Sequence, residues 1–288
     1  MKLGARLINL RFSVWGMWYS ARWRTFHKPH DAPKKRNEHM FVISAEKAVQ
    51  ELRAGNPVVF PTDTVCGLGV SVLHAKSPQS LFEIKKRPTN KPIAWLVQGI
   101  GELRQYGKNV PDYAFALARE FWPGALTLVV HASAAVPVSY LADNFCSNDL
   151  DNSSSKNSCA CDSFSNNPYP RAYSSIGLRC PKSKLVHYLL GGLKSPLCTT
   201  SANFSGQPAP TSLIDLDENF AQDLFVVEND TTSTASACTA SIANTCDATS
   251  AKARVASTVI DCTSVNPKIL RAGSITESQI SKVVSACL

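Results

Sequence analysis

Polar side chains follow an apolar segment early in the chain, and their types are those that bind ligands. The apolar run at residues 58–60 predicts a short buried strand, and Pro61 cannot continue a central strand because it has no N–H to donate. The chain therefore leaves the sheet at residues 62–64, Thr-Asp-Thr, which puts two hydroxyl groups and a carboxylate at a strand end. Ligands of α/β proteins collect at such ends. For this stretch alone, an ordinary capped connection is the alternative interpretation.

A cluster of basic residues precedes the next predicted strand. Lys85 and Arg87 end a helix-like run, and Lys91 precedes the apolar residues 93–97. The proline after Arg87 ends the helix, and the proline after Lys91 keeps that residue extended. Because Lys and Arg side chains bind and neutralise phosphate groups, this cluster indicates an anionic ligand.

Two further polar clusters lie beside short apolar runs. Ser175 and Arg179 bracket a short predicted strand that Pro181 ends. The second cluster consists of Thr199, Thr200, Ser201, Asn203 and Ser205. The repeated order of strand, polar or cationic group and proline predicts a nucleotide or phosphate site assembled from several strand ends. Taken one at a time, the hydroxyl groups could equally be loop caps and the arginines surface ion pairs.

Seven segments, four of which contain these residues, resemble, in order, the motifs of the YrdC-like threonylcarbamoyl-AMP synthases. The segments are PTDTVCGLG, KKRPTNKP, WPGALTLVV, residues 175–181, TTSANFSG, STVID and ILRAG, and they cover residues 43–276 approximately. The family's Lys-x-Arg pair falls on Lys85 and Arg87, and its Ser-x-Asn pair falls on Ser201 and Asn203. Each motif is only moderately specific, but seven in one order are specific together.

The resemblance implies a reaction and a fold. The reaction is ATP-dependent synthesis of L-threonylcarbamoyladenylate from L-threonine and bicarbonate or CO2, with release of pyrophosphate. Mg2+ would accompany ATP, no structural metal is implied, and the product would pass to a downstream threonylcarbamoyl transferase that modifies tRNA to N6-threonylcarbamoyladenosine. tRNA would therefore be only an indirect partner. The implied fold is α/β, an open twisted mixed sheet with flanking helices and a concave, positively charged cavity, in a single-domain type of the family.

The resemblance also assigns roles to individual residues. The catalytic set it implies is Lys85, Arg87, Ser201 and Asn203. The contacts it implies for L-threonine are Thr64, Arg179, Thr199 and Ser257. The contacts it implies for ATP are Arg87, Lys91, Ser175, Ser201, Ala209 and Arg271. A carboxylate matches the fork of an arginine, so Arg179 would pair with the carboxylate of threonine.

Three positions depart from the family pattern. Cys66 stands where the family usually has Tyr, and Leu96 stands where some relatives have His. Ala209 stands where many relatives have Ser, although a backbone contact to ATP would survive this change. These departures would alter affinity without removing the groups that bind phosphate.

The net charge of the chain is concentrated at its N-terminus. Of the total of +8, residues 1–40 carry +7 from nine basic and two acidic residues, which leaves +1 for the other 248 residues. An amphipathic segment that is rich in Arg and poor in acids predicts organellar import, with mitochondria favoured over plastids, or a disordered tail on a cytoplasmic protein. No apolar run approaches the length of a membrane-spanning helix.

Residues 41–288 predict one catalytic α/β domain, because strands and helices alternate along them. Helices are predicted at 45–54, 78–87, 112–121 and 185–190, the last ending at Gly191-Gly192, and one more begins near Glu277. Strands are predicted at 58–60, 93–97, 126–130 and 258–261. Residues 143–170, in which 13 of 28 are Ser or Asn, and residues 229–256 predict flexible inserts.

The ten cysteines indicate thiols rather than disulfide bonds, because the chain is neither small nor evidently secreted. Four of them, Cys66, Cys180, Cys198 and Cys262, lie in or beside apolar strands and are predicted to be buried and reduced. Three others, Cys146, Cys159 and Cys161, lie in the polar insert without the paired spacing of a zinc site.

Two other functions compete with the synthase. The first is an RNA-binding or ribosome-maturation module that uses the cavity as a groove, which the small net charge of the body disfavours. The second is a carbamoyl-phosphate-dependent transferase, because a similar domain occurs in larger hydrogenase-maturation proteins. The zinc-finger and acylphosphatase-like segments of those proteins have no counterpart in this sequence.

Overall fold

The computed structural model of the chain describes residues 34–35, 40–89, 93–141, 175–228 and 255–287. The described residues from Lys35 onwards belong to one compact unit. Most of the predicted targeting segment, Lys91, the whole predicted insert 143–170 with its three cysteines and most of the predicted insert 229–256 lie outside the described residues. The predictions for them stay predictions.

The described residues contain strands and helices in alternation. The strands are β1 (Lys34–Lys35), β2 (Phe41–Ile43), β3 (Val58–Phe60), β4 (Gly67–Ser71), β5 (Ala94–Leu96), β6 (Gly107–Lys108), β7 (Leu126–Ala132), β8 (Ser175–Arg179), β9 (Leu197–Ser201), β10 (Phe225–Val227), β11 (Thr258–Asp261) and β12 (Lys268–Arg271). The helices are α1 (Ala45–Arg53), α2 (Gln79–Lys85), α3 (Ile100–Tyr106), α4 (Asp112–Phe121), α5 (Lys184–Leu193), α6 (Glu218–Ala221) and α7 (Glu277–Ser285). Short 3-10 helices lie at Val138–Tyr140 and Leu213–Asp215.

The strands from β2 to β12 form one mixed sheet, in the order β2-β10-β3-β4-β9-β5-β8-β7-β11-β12, with β6 paired to β7. Strand β10 runs parallel to β2 and β3, β5 runs parallel to β8, and β7 runs parallel to β11. The pairs β3–β4, β4–β9, β5–β9, β7–β8 and β11–β12 are antiparallel. The predicted mixed α/β sheet is therefore confirmed.

The two faces of the sheet pack against different parts of the protein, and strand β7 contributes side chains to both faces. Leu126, Leu128 and Val130 belong to the larger core cluster, together with buried residues of helices α3, α4 and α7. Thr127 and Val129 point to the other face, because successive side chains of a strand alternate between faces. The larger core therefore fills one side of the central strands and leaves the other side available for a ligand.

Among the described residues, the helices that cover the other face are α1 and α5, which pack over β2, β10 and β3 and reach Leu197 of β9 and Leu96 of β5. Helices α1 and α5 pack on each other there, and their apolar side chains form a second core cluster with Phe60 and Phe225. Leu96 of β5 belongs to this cluster and also lines a cavity. Beyond Leu96, the exposed part of this face is the floor of that cavity.

The prediction that the fifth helix ends before its two glycines is wrong. Helix α5 continues through Gly191 and Gly192 to Leu193, and Lys194 caps it in the left-handed conformation, with φ of 51°. Packing explains the difference, because a Cβ atom on Gly192 would lie 3.0 Å from a methyl group of Val49 in α1. Gly192 is therefore a contact residue between two helices, and not a stop signal.

The predicted state of the four strand cysteines is confirmed. Cys66, Cys180, Cys198 and Cys262 are buried free thiols. Burial raises the pKa of Cys180 to about 11 and that of Cys262 to about 12.

Within the described part of the chain, no helix is both long and apolar enough to cross a bilayer.

The two adjacent glycines of α5 should respond differently to alanine. Gly191→Ala should stabilise the protein by up to about 1 kcal/mol, because alanine favours the helix and the new methyl group meets only the end of Gln98, at 3.6 Å. In Gly192→Ala, the close contact of the new methyl group with Val49 should cancel this gain in stability. Gly192→Val should destabilise the protein by about 1–3 kcal/mol through overpacking. Urea unfolding measures all three. Equal effects of alanine at both positions would contradict close packing of α1 on α5.

Candidate active site

A cavity of about 710 Å³ lies on the partly uncovered face of the sheet. Of the residues that the sequence predicted for the site, those that line it are Thr64, Arg87, Ser175, Arg179, Thr199, Ser201, Ala209, Ser257 and Arg271. Lys85 and Asn203 do not line it, and Lys91 lies outside the described residues. The volume is in the range of small-molecule sites.

Strand register brings together residues that are distant in the sequence. Leu96 of β5 lies opposite Arg179 of β8, and Ser175 of β8 lies opposite His131 of β7. Between these positions, Gly177 pairs with Val129 of β7. Since Gly177 has no side chain, no side chain fills the space above the middle of the cavity floor. A side-chain Cβ at Gly177 would touch Thr127 and Ala94 at 3.4 and 3.5 Å.

The guanidinium of Arg179 is held by three groups from two loops. Its Nη2 donates to Asp63 Oδ1 at 2.7 Å, its Nη1 donates to Thr64 Oγ1 at 2.7 Å, and its Nε donates to the carbonyl of Gly124 at 3.0 Å. Burial lowers the pKa of Arg179, and the charge of Asp63 acts in the opposite direction. Arg179 therefore ties the polar 62–64 loop and the turn at Gly124 to the end of β8.

Arg271 is fixed by a second network. Its Nε and Nη2 donate to the carbonyl of Ser257 at 3.0 and 2.8 Å, and Nη2 also donates to Ser257 Oγ at 2.9 Å. Ser257 Oγ lies 2.9 Å from Thr127 Oγ1, and both hydroxyl groups are buried. Arg179 and Arg271 line the same cavity, and burial, followed by the charge of Arg179, lowers the pKa of Arg271.

Lys85, which does not line the cavity, fixes the segment 199–203, Thr-Thr-Ser-Ala-Asn, through backbone carbonyls. Its Nζ donates to the carbonyls of Ser201 and Asn203 at 2.6 and 2.5 Å, and to Asn203 Oδ1 at 3.3 Å. The amide of Asn203 donates in turn to the carbonyls of Phe204 and Gln207 at 2.9 and 2.6 Å. These two residues position the loop that carries Ser201, and their predicted catalytic part stays a prediction.

The remaining predicted residues are Arg87 and the three positions that depart from the family pattern. Arg87 Nη1 donates to Thr200 Oγ1 at 3.4 Å, and burial lowers the pKa of Arg87. Leu96 and Ala209 line the cavity. Cys66 does not line it, and its backbone instead joins Pro210 and Ala202 by hydrogen bonds of 2.8 and 2.9 Å.

Sequence reasoning missed several residues that line the cavity. The polar ones among them are Thr127, His131, Asp261 and Thr263, whereas Thr62 and Thr200, which also line the cavity, belong to the polar clusters that the sequence indicated. The signal that could have found Thr127 and His131 was the alternation in Leu126–Ala132, where every second residue points away from the larger core.

Comparison with known proteins agrees with this architecture. The profile of the Sua5/YciO/YrdC family, described as "Telomere recombination", matches residues 50–148 and 166–273. The chain belongs to this family. Its structure is similar to the crystal structure of Pyrococcus abyssi Sua5 complexed with L-threonine, with a TM-score of 0.63 and 26% identity over 84% of this chain and 60% of that chain. It also shares the fold of E. coli YciO, with a TM-score of 0.56 and 20% identity over 82% of this chain and 92% of that one.

Two sequence relatives are named threonylcarbamoyl-AMP synthase. The protein from Pyrococcus abyssi is 29% identical over 233 residues, which are 81% of this chain and 55% of the relative. The protein from Bacillus subtilis is 29% identical over 241 residues, which are 83% of this chain and 56% of the relative. The chain thus spans about half the length of these relatives, and the YrdC-like resemblance of its motifs is confirmed.

Breaking the ion pair of the buried Arg179 should cost more stability than breaking a pair whose cation is more exposed. Asp63→Asn keeps the shape of the side chain but removes the charge that faces a buried guanidinium. We expect a loss of about 2–3 kcal/mol in the free energy of unfolding. The matched control is Glu51→Gln, which breaks the Lys47–Glu51 pair. Glu51 is 13% exposed and Asp63 15%, but the cation Lys47 is 31% exposed whereas Arg179 is 8% exposed, so the control should cost less than about 0.5 kcal/mol. Equal losses in the two variants would contradict a structural role for Asp63.

Lys85 should link phosphate binding to protons. Burial, and then the charge of Arg87, lowers its pKa from 10.5 to about 8, and a bound anion would raise it again because it favours the ammonium form. If the cavity binds the ATP that the sequence predicts, binding between about pH 8 and pH 10 should therefore take up protons, and the affinity for ATP should fall as the pH rises through about 8. Calorimetry in buffers with different ionisation enthalpies measures the uptake. It should vanish in Lys85→Met, and its survival there would exclude Lys85 as the source.

Proposed function

We propose that this chain catalyses the synthesis of L-threonylcarbamoyladenylate from L-threonine, bicarbonate or CO2, and ATP, with release of pyrophosphate. One observation carries the proposal, which is the convergence of Arg87, Arg179 and Arg271 on one cavity that many hydroxyl groups also line. Membership of the Sua5/YciO/YrdC family and the names of the two relatives support it.

The arginines divide the cavity between two substrates. In this proposal, threonine binds near Arg179 with Thr64, Thr199 and Ser257. Arg179 has five N–H donors, of which three are used within the protein, so that a substrate carboxylate can bind to the remaining ones without displacing Asp63. This differs from a free arginine fork, which would turn entirely towards the ligand.

ATP takes the other part of the cavity. Arg87 and Ser201 would hold the phosphates, with Ser175, Arg271 and the backbone at Ala209 beside them, and Lys91 is the further contact that the family resemblance implies. Thr200 orients Arg87 through the hydrogen bond to Nη1. Lys85 supports this group indirectly, because its ammonium donates a hydrogen bond to the backbone carbonyl of Ser201.

The chemistry makes demands that such a site can meet. The amine of threonine captures CO2 as an unstable carbamate, so the cavity must hold both partners close and limit water. The carbamate oxygen then attacks the α-phosphate, pyrophosphate leaves, and the arginines stabilise the charge that develops on the phosphates. No protein nucleophile is needed, and the raised pKa of Cys180 agrees with an inert thiol.

Mg2+ enters the proposal as the partner of ATP. Asp261 is the single carboxylate among the described residues that line the cavity, so phosphate oxygens rather than a cluster of carboxylates would hold the ion. When bound, the ion would neutralise charge on the phosphates.

The product would leave for another enzyme. An adenylate that carries a threonylcarbamoyl group is an activated donor, and a downstream transferase would move this group to adenosine in tRNA. The chain itself would meet tRNA only indirectly. The competing RNA-binding function requires a broad basic surface, whereas the arginines described here, of which Arg179 is buried, Arg87 half-buried and Arg271 exposed, line one cavity.

Pyrophosphate release in the presence of ATP, bicarbonate and different amino acids tests the proposal. We expect release to require threonine, and Arg179→Lys should raise the KM for threonine by about 30-fold or more, because lysine keeps the charge but loses the fork. Arg87→Ala should instead weaken use of ATP or abolish turnover. Thermal unfolding confirms that each variant is folded. Equal turnover with glycine, or RNA binding without turnover, would contradict the synthase.

We also propose that residues 1–40 direct the protein to mitochondria, with plastid import and a cytoplasmic pool as the alternatives. The strong basic character of this segment supports the proposal. Fused to a fluorescent protein, residues 1–40 should bring it into mitochondria, and the matched fusion with the basic residues changed to glutamine should remain diffuse. Diffuse fluorescence from the unchanged segment would reject mitochondrial import.

A further inference from the structure

One corner of the cavity has a chemistry unlike the rest. Asp261 at the end of β11, Thr263 just beyond it and His131 of β7 all line the cavity there. The residues that the sequence predicted for the site include none of these three. The corner is also distinct in charge, because the other ionisable side chains that line the cavity include three arginines and no further carboxylate among the described residues.

The carboxylate of Asp261 is held on one side only. Its Oδ1 accepts from the backbone N–H of Thr263 at 2.9 Å and from Thr263 Oγ1 at 2.7 Å. No described residue donates to its second oxygen, Oδ2. Because Oδ1 is fixed by two bonds, the carboxylate has a defined orientation and keeps one oxygen for a ligand.

His131 supports this arrangement from the neighbouring strand. Its Nε2 lies 3.1 Å from the carbonyl of Thr263, and since a carbonyl only accepts, Nε2 is the donor. The other ring nitrogen, Nδ1, is buried without a hydrogen-bond partner among the described residues. A buried polar atom without a partner costs stability, so the corner is not arranged for stability alone. We regard His131 as a positioning residue for the Thr263 loop.

The floor beside the corner suits the uncharged part of a nucleotide. Gly177, Val129 and Val259 lie between the corner and the arginines, and they present only small or apolar surfaces. Leu270, which is 52% exposed, adds an apolar wall. A sugar or a base can lie on such a surface, whereas a phosphate next to Asp261 would be repelled.

We propose that Asp261 Oδ2 accepts a hydrogen bond from a donor group of the nucleoside, either a ribose hydroxyl or the exocyclic amine of adenine. The carboxylate thereby fixes the direction in which the nucleotide lies, with its phosphates towards Arg87. Asp261 is then a determinant of nucleotide specificity, held by Thr263 and indirectly by His131. This inference rests on the proposed use of ATP.

Binding of monophosphates without metal tests the inference separately from catalysis. The full chain is titrated in EDTA with AMP, 2′-deoxy-AMP, 3′-deoxy-AMP and IMP, and the comparison is repeated with Asp261→Asn. The wild type should bind one of the three analogues about tenfold or more weakly than AMP, because a hydrogen bond to a charged group is lost. That analogue identifies the donor as a hydroxyl or as the amine. Asp261→Asn should bind AMP as weakly as the wild type binds that analogue, and should no longer discriminate.

Thr263→Val serves as the second variant, because it leaves the charge of Asp261 in place but releases one of the two bonds to Oδ1. It should reduce the same discrimination to a smaller extent, also where Asp261→Asn does not fold. The inference is overturned if AMP does not bind, if the wild type treats all four nucleotides alike, or if Asp261→Asn keeps the discrimination. An effect of Asp261→Asn that occurs only with added Mg2+ would make Asp261 a metal ligand and would also overturn it.

Discrimination by Asp261 and pyrophosphate release are independent readouts. If AMP binds with the expected discrimination but no threonine-dependent pyrophosphate appears, the inference about Asp261 is supported and the proposed function is contradicted. If pyrophosphate is released but Asp261→Asn changes no nucleotide preference, the function stands and the inference about the corner fails.

Discussion

The site depends on a buried guanidinium at the end of β8. Arg179 is held by Asp63, Thr64 and the carbonyl of Gly124, and thereby joins one strand end to two loops. A cation taken out of water needs such partners, because burial without them costs several kcal/mol. The same bonds restrict Arg179 to one orientation before any ligand arrives. A preorganised donor of this kind loses little entropy on binding and stabilises developing charge at once.

The open face of the sheet provides the space around Arg179. Apolar side chains on one face of β7 and β8 join the larger core, whereas the opposite face carries Thr127, Val129 and Gly177, and no helix of the described residues packs on these three. Helices α1 and α5 pack on the part of this face that reaches from β2 to Leu96, and Gly192 allows them to approach each other closely. The cavity thus begins at Leu96, where the second core ends.

The sequence predicted the residues of the site better than their contacts. Proline and hydroxyl signals located the loops that carry Thr64 and Ser201, because these signals are local. The bond between Lys85 and the carbonyl of Ser201 joins residues far apart in the chain, and local patterns contain no information on such pairs. Asp261 was missed for the same reason, since only the register of β11 beside β7 places it in the cavity. The helix end at Gly191-Gly192 was wrong because tertiary packing outweighed a local stop signal.

A crystal structure with L-threonine and a non-hydrolysable ATP analogue tests the central claim most directly. The account predicts the carboxylate of threonine within hydrogen-bonding distance of Arg179, with the Asp63–Arg179 ion pair still present, and the phosphates at Arg87 and Ser201. Phosphates bound at Arg179, or an Arg179 side chain that leaves Asp63 to reach its ligand, would contradict it.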